Sequence, residues 1–261
     1  MVIFSSLGFV VFYDFHIFIA YYKPQTFTQM FTWKTKGGYR IVQLIGGRSN
    51  VFLVFYGTKK IMVDTSTKWN WNKLDKRLRL YAINEIDYLV LTHSHYDHAE
   101  NARRIREKYH ATVIVHKKES HFLLGKENIV PAGTNFFTRF LASFFGKWFF
   151  SLRKVTCPVD IVVDSTFSFH DFGFKAYLIH TPGHSEGSMS LIVDDEVAIV
   201  GDAMFGVFRW TVFPPFANNP RQLVDSWAPL LNTNCQVFLP SHGNANTRDM
   251  VLKDYEKRKI A

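Results

Sequence analysis

Cysteine is almost missing from this sequence: two residues in 261, Cys157 and Cys235, are too few and too far apart for a disulfide framework or a zinc ribbon. Stability must therefore come from a packed core, and a reducing compartment is permitted. Acidic residues are scarce as well, 22 against 31 lysines and arginines, for a formal charge of +9. That total would suit an acidic substrate, nucleic acid or an anionic membrane surface. Basic residues scattered over solvated faces give the same sum, and this plainer reading is preferred. Internal repeats and low-complexity segments are also lacking, which excludes a solenoid or a disordered tract. What is plentiful is apolar: 47% hydrophobic against 20% charged residues supply a core for one domain.

One long apolar run, residues 2–22, opens the chain at nearly the length needed to cross a bilayer. Asp14 and His16 fall in its middle, no basic cluster precedes it and no small-residue cleavage site follows. Residues 1–36 therefore read as an apolar N-terminal leader on a cytoplasmic protein, with a membrane anchor as the alternative and Met30 as another start. Residues 37–261 read as one domain with an aromatic insertion at about 125–155.

From Tyr39 onward, apolar runs at 39–45, 50–56 and 60–63 are separated by Gly46, Gly47 and Gly57, as consecutive hairpin strands require. Helical spacing follows at 69–82, then a strand at 87–91, a charged helix at 99–109 and a strand at 112–115. Strands return at 161–163, 175–179, 188–193 and 197–200, and a helix at 221–231, a strand at 236–239 and a helix at 246–258 close the domain. Two groups of strands, each followed by helices, predict an α/β fold of two mixed sheets with helices outside.

The strand ending at Leu91 runs into Thr92-His93-Ser94-His95-Tyr96-Asp97-His98, four potential ligands within six positions. In an extended segment His93 and His95 point the same way, while Asp97 and His98 sit where the chain turns into a helix. Such a cluster can face two metal ions side by side, and clustered His and Asp mark metal sites. Three further candidates, His184, Asp202 and His242, each follow an apolar strand. Alone, each could be a turn or cap residue; repeated in one structural context they point to a shared crevice at strand ends.

These motifs, in order, resemble those of the metallo-β-lactamase superfamily over about residues 39–243: Asp64 after an early strand, the His93 to His98 run, His184, Asp202 and His242. The resemblance implies a four-layer αββα sandwich with the site at one edge of the sheets. It further implies that His93, His95 and His184 bind one metal, that Asp97, His98 and His242 bind a second, and that Asp202 bridges them. Asp64 would stand behind the ligands and orient one of them. Two divalent ions, zinc foremost and iron or manganese as alternatives, would supply hydroxide near neutral pH and polarise a scissile carbonyl or phosphoryl group. Asp97 and Asp202 are the expected catalytic carboxylates, Asp97 as an acceptor that orients the water.

Within the superfamily, Asp202 disfavours β-lactam hydrolysis, the short stretch after His242 disfavours the glyoxalase II substrate, His95 disfavours the flavodiiron group, and RNA-processing insertions are missing, so no specific nucleic-acid module is expected. The expected reaction is cleavage of an ester, lactone or thioester. The alternatives are a mononuclear-iron persulfide dioxygenase, a phosphodiesterase acting on a polyanion and a non-catalytic metal-binding module. Two aromatic segments are expected to cover the site: Phe140, Phe144 and Trp148 in the insertion, and Phe205, Phe208 and Trp210 after Asp202. They would form an apolar lid for a partly apolar small molecule, pack on the core, or touch a membrane surface peripherally. The sequence leaves oligomeric state open.

Overall fold

The computed structural model describes residues 30–47, 49–125, 132–134 and 155–260. The first sheet contains β1 (Thr32–Lys34), β2 (Arg40–Ile45), β3 (Val51–Tyr56), β4 (Lys59–Val63), β5 (Tyr88–Val90), β6 (Thr112–His116) and β7 (Ile161–Val163), neighbours in that order. Pairing is antiparallel from β1 to β4 and parallel from β4 to β7. The second sheet contains β8 (Thr166–Ser168), β9 (Ala176–His180), β10 (Met189–Val193), β11 (Val197–Gly201), β12 (Val237–Pro240) and β13 (Asn246–Thr247), also in sequence order. Of its pairings among the described residues, only that of β11 with β12 is parallel.

The apolar runs lack a polar face because both faces of each sheet are covered. Phe52, Val54, Ile61, Val90 and Ile114 of the first sheet meet Leu178, Leu191, Val193, Ile199 and Leu239 of the second. The alternate residues turn outward: Leu53, Met62, Leu89 and Val113 pack against helices α1 (Trp71–Leu80) and α3 (Ala102–Tyr109), which follow in sequence either side of the short α2 (Tyr96–Ala99). After the four-residue α4 (Lys117–Ser120), helices α5 (Pro220–Asp225), α6 (Trp227–Leu231) and α7 (Arg248–Ile260) complete the chain. Val224, Trp227, Leu230 and Val251 of these last three cover Ile192, Ala198, Val200 and Phe238. The result is the αββα sandwich the motifs implied.

Some elements differ from the sequence reading. The first sheet takes in β1, on the leader side of the boundary drawn at residue 37, because Thr32–Lys34 pairs with residues 40–42. The helix expected at 99–109 is broken around Asn101, whose amide donates to the carbonyls of Thr65, Ser66 and Thr67. The one expected at 221–231 divides after Asp225: Pro229 has no N–H, and its ring would clash with the carbonyl of Asp225 in a continuous helix. The start of the last helix is instead β13, held against Val237 and Phe238. Among the described residues no helix is long and apolar enough to cross a membrane. The apolar run at 2–22 and the bulk of the aromatic insertion, including Phe140, Phe144 and Trp148, lie outside the described residues.

This topology decides where loops can meet. β4, β5 and β6 are parallel, so Asp64, the His93 to His98 run and His116 leave the first sheet at one edge. β9 and β11 both run antiparallel to β10, and β12 runs parallel to β11, so residues following β9, β11 and β12 share an edge too. Contacts such as Met189 N–H to the Thr92 carbonyl, 2.9 Å, join the two edges into one floor.

Candidate metal centre

The nitrogen and oxygen atoms of seven side chains gather on that floor. His93 Nε2 is 2.9 Å from His95 Nδ1, which is 3.0 Å from His184 Nε2. Beside this trio, Asp97 Oδ2 lies 3.6 Å from His98 Nε2 and 3.5 Å from His242 Nε2. Asp202 stands between the two sets, with Oδ2 at 3.5 Å from His184 Nε2 and 3.3 Å from His242 Nε2, and Oδ1 at 3.6 Å from His98 Nε2. Among the described residues three groups could each hold a metal ion: His93, His95 and His184; His93, His98 and Asp202; and Asp97, His98 and His242. All seven residues singled out as ligands in the sequence are therefore brought together.

The outer atoms of the rings reveal which way the inner ones are poised. His184 Nδ1 faces the Phe216 carbonyl at 2.9 Å and must donate to it, so Nε2 presents a lone pair to the cluster. His98 Nδ1 donates to Asp64 Oδ2 at 2.9 Å, which turns the Nε2 lone pair inward. His93 Nδ1 is 3.1 Å from the Thr92 hydroxyl, leaving Nε2 to face His95 and His184. Lone pairs this close repel unless a positive charge lies among them, and an N/O donor set of this kind suits a divalent ion such as zinc. Among the described residues, the buried side-chain polar atoms without a hydrogen-bond partner are His95 Nε2, His98 Nε2, Asp202 Oδ1 and Asn246 Oδ1, and two of them, His98 Nε2 and Asp202 Oδ1, face each other within the cluster at 3.6 Å. The residues present fit a metal pair.

Electrostatics divides the cluster. Burial, reinforced by neighbouring imidazoles, holds His93 and His95 well below the usual histidine range, and burial lowers His184 too, which keeps this trio neutral as metal ligation demands. Burial also disfavours a charged His98, but the carboxylates of Asp97, Asp202 and Asp64 outweigh it and raise the group to about 10. His242 is raised in the same way, burial being overcome chiefly by Asp202. Burial opposes ionisation of Asp202, yet His242, His98 and His184 hold it well below the usual carboxylate range. The side around Asp97, His98, His242 and Asp202 thus favours positive charge, whether proton or cation.

Asp64 lies behind the candidate ligands, against His98. Its Oδ1 accepts from Thr92 N–H at 2.8 Å, and its Oδ2 accepts from the hydroxyls of Thr92 and Ser241, both at 2.9 Å, besides His98. One buried carboxylate therefore fastens the ends of β4, β5 and β12. The backbone at Gly201, φ +56°, aims Asp202 inward, and a Cβ on that glycine would sit 2.7 Å from Thr92 Cβ.

The aromatic residues divide. Phe205 is 5% exposed, with its ring centroid 4.6 Å from that of His242, so it walls that imidazole. Phe208 and Trp210 face each other at 5.1 Å, and Trp210 is 74% exposed. Residues 132–134, within the aromatic insertion, bond along residues 214–217: Thr134 N–H to the Pro215 carbonyl at 3.0 Å and Ala217 N–H to the Ala132 carbonyl at 2.8 Å. The Phe216 carbonyl that holds His184 lies inside this stretch.

Sequence reasoning missed several supports. Ser49 donates to the Asp97 carbonyl, and Asn50 Nδ2 bridges the carbonyls of Pro240 and Gly243 at 2.8 and 2.9 Å. Glu119, 1% exposed, accepts from Ser94 and Gly187. A buried polar residue beside an apolar run is the only signal such groups leave in a sequence.

The chain matches the sequence model of the metallo-β-lactamase superfamily over residues 44–242. A probable metallo-hydrolase of Methanocaldococcus jannaschii is 28% identical over 206 residues, which are 78% of this chain and 91% of that protein. A hydroxyacylglutathione hydrolase of Pelagibacter ubique is 25% identical over 129 residues, 49% of this chain and 40% of the relative. The chain spans about half the length of several other curated relatives it matches. Among solved structures, a metallo-β-lactamase family protein from Thermus thermophilus superposes with a TM-score of 0.63 at 17% identity, covering 84% of this chain and 79% of the other, a likeness of fold alone. With the family match running through all the strands whose ends build the cluster, the chain belongs to the metallo-β-lactamase superfamily.

Proposed function

We propose that this protein is a dinuclear metal-dependent hydrolase that cleaves an ester, lactone or thioester. The observation that carries the reading is the placement of Asp202 within 3.6 Å of histidines from both ligand sets. Two divalent cations held by these sets, most simply zinc, would activate water near neutral pH and polarise the scissile group. The chain supplies the rest. Phe216 and Asp64 fix the rings of His184 and His98, and Asp202 keeps the two sets at a set separation. Asp97 is the more open carboxylate, its side chain 20% exposed against 4% for Asp202, and it is suited to accept a hydrogen bond from the attacking water. Neither cysteine offers a nucleophile near neutral pH, because burial pushes Cys157 up to about 12 and Cys235 to about 11.

The hydrolase names of relatives support hydrolysis, and the relative named for hydroxyacylglutathione fits an acyl substrate. The aromatic segments rooted beside His184 and His242 support a partly apolar one. Metal analysis should find two ions per chain, and apolar esters, lactones or thioesters should be cleaved faster than small hydrophilic ones. One iron per chain with oxygen consumed on a persulfide would replace this reading with the dioxygenase. Preferred cleavage of phosphodiesters, weakening with salt, would replace it with the polyanion reading. Asp97→Ala should lower kcat by about 10²–10⁴-fold, the range for a lost acid–base group, with thermal unfolding little changed. Near-normal turnover would remove the role.

A further inference from the structure

The cluster has a second buried carboxylate behind it. Glu119 in α4 is remote in sequence from every candidate ligand, 25 positions after Ser94 and 68 before Gly187. One of its oxygens, Oε2, accepts from Ser94 N–H at 3.0 Å and from the Ser94 hydroxyl, and the other accepts from Gly187 N–H at 3.0 Å. Ser94 sits between His93 and His95, and Gly187 three residues beyond His184, so two ligand loops from different sheets end on one side chain. The approach is tight on the far side: a Cβ on Gly187 would lie 2.5 Å from Glu119 Cγ and 2.9 Å from His116 Nδ1. Only backbone fits there.

We infer that Glu119 is the positioning residue of the three-histidine set: by gripping Ser94 and Gly187 it sets the separation of His93 and His95 from His184, and with it the affinity of that cation position. Asp64 plays the corresponding part for the other position through His98. Each set thus leans mainly on a different buried carboxylate, Asp64 reaching the three-histidine set only at His93, through the Thr92 hydroxyl. The inference rests on the proposed metal pair. Glutamine in place of Glu119 has nearly the same shape but turns an N–H2 toward either Ser94 or Gly187, donor against donor. The loops then part without a cavity forming.

The test uses the full chain loaded with zinc and equilibrated against a competing chelator, with the thermal unfolding of the cation-free form measured alongside. Glu119→Gln should loosen one of the two zinc ions about 10–100-fold, the range for outer partners of metal ligands, and leave the other unchanged. Asp64→Asn should loosen the opposite ion more than this one. Cobalt(II) substitution identifies the position, since the absorption bands of the three-histidine site should shift more in Glu119→Gln than in Asp64→Asn. Ser94→Ala, which keeps the N–H contact and drops the hydroxyl, should move the same ion as Glu119→Gln by less, and it decides the matter if Glu119→Gln does not fold. Unchanged zinc affinities in both Glu119→Gln and Ser94→Ala overturn the inference. So does equal loosening of both ions with a lower unfolding temperature, which marks a merely structural role. An unsubstituted chain that binds no zinc pair overturns the functional reading, and this inference with it.

Discussion

Asp202→Asn is expected to disturb both cation positions at once and to lower kcat/KM by more than the roughly 100-fold that loss of an outer partner of a metal ligand costs at most. The carboxylate reaches His184 on one side and His98 and His242 on the other, which is the placement the proposed function requires of a ligand shared by the two sets. Asparagine keeps the shape, and the left-handed turn at Gly201 continues to aim the side chain inward. What changes is the charge. The negative centre that helps raise His98 and His242 is lost, and one anionic oxygen becomes an N–H2 that can only donate and offers no lone pair to a cation. Kinetics on the zinc-loaded protein, together with its metal content, check this. Two ions retained with turnover near that of the unsubstituted chain would show that Asp202 does not bridge.

Asp64→Ala should be the most destabilising single change in the site, by about 3–5 kcal/mol, the range for removing one partner from a buried charged pair. Three hydrogen-bonding residues, Thr92, His98 and Ser241, lose their acceptor together, and each stranded donor costs about 1–3 kcal/mol if nothing replaces the contact. The backbone at Asp64 has φ +58°, a conformation that Asp and Asn tolerate better than Ala. Asp64→Asn should therefore retain more stability than Asp64→Ala while still failing to accept all the donors. Denaturant unfolding of the cation-free protein measures the difference. A loss below about 1 kcal/mol for Asp64→Ala would mean that the ends of β4, β5 and β12 are held by other contacts.

Much of the site was legible because its candidate ligands come in local patterns. His93, His95, Asp97 and His98 are close in sequence, and a strand running into a turn makes their convergence a matter of short-range geometry. His184, Asp202 and His242 follow apolar strands, and strand ends in layered α/β folds face a common edge. The edge strands were harder to read. β1, β8 and β13 have three, three and two residues, too short for alternation to register, and they exist because a neighbouring strand offers hydrogen bonds. The break between α5 and α6 carried a local signal in Pro229, which an apolar helical pattern masked.

Apolar runs and motif order were enough to point to two covered sheets and to the seven side chains that converge, because run length along a strand and spacing along a turn are properties of the chain itself. Tertiary structure alone decided which groups stand behind those ligands. Glu119 reaches Ser94 and Gly187, Asn50 reaches Pro240 and Gly243, and Asp64 reaches Ser241 only because chain direction brings distant loops to one edge. Burial then makes each such contact strong, for a polar group withdrawn from water must find its partner inside the protein, and no local sequence pattern names that partner.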